Sequence, residues 1–114
     1  MALTQLQEAQ VSTLLSAYCQ ARVPARVRDQ VRLGFRIEGH AVELLESRPS
    51  LDDSRVWHEQ AIAKFRYGAA KGVWRLYCQF RDLKWHEYKP HPSARSFAQL
   101  LDEVDRDPTG IFWG

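Results

Sequence analysis

Cysteine is scarce: the 114-residue chain has only Cys19 and Cys78, on stretches that read as separate elements. A disulfide framework is therefore not expected, and reduced thiols in a cytoplasm are the default. Long apolar runs are missing as well. None approaches the ~20 residues that cross a bilayer, so no membrane partner is expected. The start, Met1-Ala2-Leu3-Thr4-Gln5, has neither the basic opening nor the apolar run of a secretory signal. Internal repeats and low-complexity segments are absent, and so are a Gly-rich phosphate loop, a nucleophile elbow and a paired C-x-x-C metal arrangement. Charge of one sign is also in short supply, since sixteen bases against fourteen acids leave a net charge of +2. That average says little about fold or partner.

What is present is aromatic weight. Four Trp, five Phe and four Tyr argue against disorder. A chain of this length buries roughly two thirds of its unfolded surface in one core. One domain over residues 1–114 is expected: an N-terminal helix and turn (1–24), an antiparallel sheet (25–90), and a C-terminal helix with an apolar tail (91–114).

Hydrophobic periodicity supplies the elements. Leu3, Leu6, Val11, Leu14, Leu15 and Tyr18 make a helical stripe that Pro24 ends. Ala25 to Glu38 alternates, with Val27, Val31, Leu33, Phe35 and Ile37 on one side and Arg28, Arg32 and Arg36 on the other, the pattern of a half-buried strand. Gly39-His40 fits a type II′ hairpin, which sets Ile37 against Val42, Phe35 against Leu44 and Arg36 against Glu43. Ser50 to His58 reads as a loop or one short helical turn.

Ala61 to Lys89 then reads as three strands whose sides differ in chemistry. Ala63, Phe65, Trp74, Leu76, Cys78, Phe80 and Trp85 form the apolar side. Lys64, Arg66, Arg75, Tyr77, Gln79, Lys84, His86 and Tyr88 form the other. A four-residue loop from Gly68 to Lys71 puts Phe65 opposite Trp74, and a tight turn at Asp82-Leu83 puts Phe80 opposite Trp85. Ser93 is expected to cap a helix with Phe97, Leu100, Leu101 and Val104 on its buried stripe. The fold class is thus α+β, a mainly antiparallel meander of about five strands with both helices on its apolar face.

The charge is unevenly spread. Arg22 to Arg36 holds five arginines against Asp29, Ile37 to Glu59 is acidic, and Gln60 to Arg95 holds eight bases against Asp82 and Glu87. On the counted register, Lys64 falls opposite Arg75, Arg81 opposite Lys84, and Tyr77 opposite Tyr88. Like charges across strands cost stability, and a bound anion would offset that cost. Tyrosines beside bases also resemble the platforms on which single-stranded nucleic acid stacks. The plain alternative is a wet sheet face that carries Lys, Arg and Tyr without a ligand, with acids of the last helix reaching over. The candidate ligand-binding set is Lys64, Arg66, Arg75, Tyr77, Lys84, His86 and Tyr88. The arginine series from Arg22 to Arg36 is a second basic stripe, with a solvated strand face as its plainer reading.

Signals for chemistry are weaker. His86 and His91 lack a third ligand of matching spacing, and Asp52-Asp53 reads as a turn cap, so no metal is expected. Glu87-Tyr88-Lys89 has the E-x-K spacing of metal-dependent nucleases without a partner Asp. Asp82, Lys84 and His86 have the types of an acid–base cluster, or simply of a turn and a polar strand. No catalytic residue and no cofactor are assigned.

Ordered motifs add a resemblance. Arg48-Pro49, Ala63-Lys64-Phe65-Arg66-Tyr67, Trp74-Arg75-Leu76-Tyr77 and Arg81 to His86 with Tyr88 are followed by Glu103 to Gly110 and Phe112-Trp113-Gly114. The set, over about residues 30–114, resembles the bacterial domain-of-unknown-function family DUF3024. The resemblance implies a small stand-alone bacterial protein and carries no mechanism. Cys78 stands where an aromatic or Met is expected. Two functions are expected as alternatives: a non-enzymatic module that binds nucleic acid or another polyanion on the basic-aromatic face, and a protein-interaction adaptor using the sheet edge or the apolar C-terminal tail.

Overall fold

In the computed structural model, which describes residues 2–114, the first helix, α1 (Gln5–Arg22), begins at a capping box. The Thr4 hydroxyl accepts the Gln7 N–H at 3.1 Å and the Gln7 side chain accepts the Thr4 N–H at 2.9 Å, so two orphan donors are met reciprocally. Its inward stripe is narrower than the sequence suggests. Val11 and Leu15 are buried, but Leu6 and Leu14 face solvent.

After Pro24 the chain makes a short 3-10 turn at Ala25–Val27. The expected strand from Ala25 is therefore corrected: β1 runs only from Arg32 to Glu38. Backbone bonds from Val27 to Pro24 and from Val31 to Val27 hold the turn, which Pro24 precedes in an extended conformation. Arg28 donates to the Val23 carbonyl and Arg32 to the Arg28 carbonyl, so this part of the arginine series braces a turn.

β2 (Ala41–Pro49), β3 (Trp57–Gly68), β4 (Val73–Gln79) and β5 (Trp85–Glu87) follow as an antiparallel meander in the order β1-β2-β3-β4-β5. A two-residue strand, β6 (Ser93–Ala94), pairs with β4 beyond the end of β5. The last helix, α2 (Phe97–Arg106), starts after Ser96 rather than Ser93, and the Ser96 side chain makes no capping bond. The fold class is as read, α+β with a helix at each end of an antiparallel sheet.

The first hairpin has the expected register: Ile37 faces Val42, Phe35 faces Leu44, and Arg36 faces Glu43. Gly39 takes φ +61°, as a type II′ turn demands of its first central residue. β3 begins four residues earlier than expected and carries a bulge opposite Leu44/Leu45, which leaves Ile62 and Ala63 buried in succession. At the β3–β4 turn the loop is four residues long but sits one residue later, at Ala69–Gly72, with Gly72 at φ +64°. Side-chain parity survives that shift, while the partners change: Phe65 faces Leu76, and Tyr67 faces Trp74.

The β4–β5 turn departs further. Gln79 pairs with Trp85, so five residues, Phe80 to Lys84, form the loop. An odd loop reverses the sides of β5 relative to the expected two-residue turn. Leu83 sits at φ +61°, its N–H bonds to the Phe80 carbonyl, and the Asp82 carboxylate accepts the Lys84 N–H at 2.9 Å. Trp85 therefore lies on the outer side, and Tyr88, with 2% exposure, on the inner. Phe80, placed inside by the sequence reading, is 48% exposed.

The core lies between the inner sheet side and both helices. Val11 and Leu15 of α1, and Phe97, Leu100, Leu101 and Val104 of α2, pack with Val42, Leu44, Phe65, Trp74, Leu76 and Tyr88. Phe112 joins this cluster with its ring 5.0 Å from that of Tyr88. The Asp107 carboxylate accepts the N–H groups of Phe112 and Trp113, and the Trp113 indole donates to the Val104 carbonyl. The apolar tail is thus docked into its own fold. No helix is long and apolar enough to cross a membrane among the described residues.

Candidate functional site

Directly opposed residues in a sheet share a side, so the register builds the outer face row by row. One row crosses all five meander strands: Arg36, Glu43, Lys64, Tyr77, Glu87. The next is Glu38, Ala41, Arg66, Arg75, Ser93. Beyond Tyr77 lies the pair Gln79 and Trp85. Neither helix covers these rows, because both helices pack on the inner side.

Of the seven candidate residues, Lys64, Arg66, Arg75 and Tyr77 come together on this face. Three do not. Tyr88 is buried and donates its hydroxyl to Glu103 at 2.8 Å. His86 lies opposite Cys78 on the inner side, stacked on Phe80 at 4.1 Å between ring centroids. Lys84 belongs to the exposed turn. The reversal of β5 removes all three and brings in Trp85, which the sequence reading placed in the core. The Lys64 ammonium sits 5.8 Å from the centre of the Trp85 ring. The sequence left this open because Trp85/Glu87 and His86/Tyr88 each offer one aromatic and one polar side chain. Asp82, whose short carboxylate favours a local turn, was the available signal.

The expected like-charge pairs change partners too. Lys64 faces Tyr77 rather than Arg75, and Arg81 and Lys84 lie in the loop. The pair that exists is Arg66 directly opposite Arg75. Arg75 reaches Glu87 at 3.7 Å, at the long end of an ion pair and partly exposed. The tighter acid contacts fall elsewhere: Glu43 holds Arg36 at 2.6 Å, and Glu59 lies 3.5 Å from Arg36. Bonding to Glu43 pushes the Arg36 guanidinium further up from its ordinary value. The neutralising acids come from the sheet itself rather than from α2. A hollow of about 210 Å³ lies between the strands, lined by Arg36, Glu38, Ala41, Glu43, Lys64 and Arg66. Arg32, at the far end, covers the Trp57 ring at 3.9 Å.

His86 belongs to a second feature, an apolar cavity of about 480 Å³ under the C-terminal tail, lined also by Cys78, Phe80, Tyr88, Pro90 and Ile111. Its Nε2 lies 2.9 Å from the Asp82 carboxylate. The Lys84 N–H first, and His86 second, hold the Asp82 carboxyl below its ordinary range. The Cys78 and His86 side chains both line this cavity, and the carboxylate bonds the imidazole alone. Burial pushes the Cys78 thiol up, however, the opposite of an activated nucleophile. No group of three or more metal-ligating side chains occurs among the described residues. The E-x-K pattern splits: Glu87 lies opposite Tyr77 on the outer side and reaches diagonally to Arg75, and Lys89 is exposed beyond β5. Asp53 caps its turn by accepting the Arg55 N–H.

Comparison with known proteins adds one finding. A family model described as "Domain of unknown function (DUF3024)" matches residues 3–114, which extends the likeness into α1. No curated protein and no solved structure matches the chain.

Proposed function

We propose that this chain, which belongs to the DUF3024 family, is a non-enzymatic binding module for a polyanion, using the outer sheet face. The groups that bind are Lys64, Arg66 and Arg75, with Tyr77 beside them. One observation carries the reading: two arginines oppose each other on a sheet face that neither helix covers. Side by side they repel, and that repulsion is the kind of cost a phosphate or sulfate bridging both guanidiniums reverses. The docked tail has partners of its own in Asp107 and Val104, which speaks against the tail as a hook for a partner.

The test is binding of heparin and of a mixed-sequence nucleic acid by fluorescence anisotropy across salt concentrations. Affinity should fall steeply with salt, since each phosphate contact adds about one unit to the slope of log affinity against log salt. Arg66→Glu with Arg75→Glu should abolish binding while the protein melts cooperatively. Unaltered binding by that double variant, or no binding of either polyanion by the parent protein, would refute the proposal.

A further inference from the structure

We infer that the polyanion is single-stranded nucleic acid, with phosphates on Arg66 and Arg75 and bases stacked on Tyr77 and Trp85; this rests on the polyanion reading above. The rows along β3 and β4 follow a definite order. The Arg66–Arg75 row comes first, Lys64, Tyr77 and Glu87 next, and Gln79–Trp85 last, with the Glu87 carboxylate 3.7 Å from Arg75. Neighbouring rows are two residues apart along a strand, about 7 Å. Cations at one end and π faces at the other match a ligand that carries an anion and a planar ring in each repeating unit.

Tyr77 and Trp85 sit diagonally across β4 and β5, a spacing of about 7–8 Å that side chains of this size span. Lys64 lies between the two ends, opposite Tyr77 and over Trp85, so its charge serves a backbone that passes from guanidiniums to rings. Trp85 is only part-buried although it is among the largest apolar side chains in the chain, and no other aromatic ring packs on it within the described residues. A sulfated polysaccharide has no aromatic ring to stack on it. A duplex keeps its bases stacked on each other and presents phosphates to a flat sheet. A single strand uses both ends of the surface, and stacking tolerates any base.

The discriminating probe is a single-stranded oligonucleotide compared with an abasic oligonucleotide of the same length and charge, on the unmodified protein. The base-bearing strand is expected to bind at least about tenfold more tightly, the effect of one or two stacked bases. Tyr77→Ala and Trp85→Ala should each shrink that ratio, with melting curves confirming that the variants fold. Equal affinity for both strands, or tighter binding of duplex or heparin, overturns this inference and leaves the polyanion surface standing. No binding of any of them removes the surface itself.

Discussion

Arg66→Glu is the variant that probes the central feature most directly, and it should make the protein more stable. Arg66 and Arg75 face each other on adjacent strands. Their backbones are about 4.8 Å apart, and a charge separation of roughly 8 Å is taken for side chains of this length. Two like charges at that distance in a water-like medium repel by about 0.5 kcal/mol, within the range measured for cross-strand charge pairs. Reversing one sign turns that repulsion into an attraction of similar size, a change of about 1 kcal/mol. Glu38 lies two strands from Arg66 across Ala41, Glu43 lines the same hollow as Arg66, and Glu87 is 3.7 Å from Arg75, so these acids offset part of that gain and the full figure is an upper bound. A chain of this length unfolds with an entropy near 0.24 kcal/mol/K, so Tm should rise by up to about 4 °C. Arg66→Gln should give about half the gain.

Calorimetry or thermal circular dichroism at about 10 mM salt is the assay. At that ionic strength the Debye length is about 30 Å, and in 1 M salt it is about 3 Å. The stabilisation should therefore be present in the first buffer and nearly gone in the second. A Tm that falls, or a gain that survives 1 M salt, refutes the claim that repulsion between these arginines is stored in the sheet. Added stability together with lost polyanion binding would show that the pair is held at a cost to the fold.

Two further predictions concern the core and its titration. Phe112 is 5% exposed against Tyr88, whereas Ile111 is 38% exposed. Phe112→Ala should cost about 3–5 kcal/mol and lower Tm by roughly 12–20 °C, while Ile111→Ala should cost under about 1 kcal/mol; equal effects would mean the tail is not a plug. Burial first, and the bond to Glu103 second, push the Tyr88 phenol above its ordinary value of 10.0, and burial raises Tyr18 as well. The folded state therefore keeps these protons longer than the unfolded chain. Stability should hold below about pH 10 and fall as pH rises through the raised folded values. Urea unfolding from about pH 8 to 11 should show this, with a shallower fall in Tyr88→Phe; stability that climbs with pH would contradict it.

Much of the fold was legible because it is written in local periods. The alternation of Phe35, Ile37, Val42 and Leu44 fixes which side of the first hairpin is apolar, and Gly39-His40 fixes its register. Phe97, Leu100, Leu101 and Val104 recur at helical spacing, and all four are buried. At the β3–β4 turn the loop is shifted by one residue, which exchanges partners without exchanging sides. Lys64, Arg66, Arg75 and Tyr77 consequently stay together as expected.

The tertiary structure decided β5. Period two says that Trp85 and Glu87 share one side and His86 and Tyr88 the other, but not which side is buried. Loop parity settles it, and the odd loop depends on a left-handed Leu83, a conformation that nothing about leucine announces. Tyr88 is held inside by Glu103 and Phe112, residues remote in sequence that only the docked helix and tail bring near. Local alternation, set by chain geometry, was thus enough to place the cations. The side on which the last aromatics lie depended on contacts that exist only once the chain has folded.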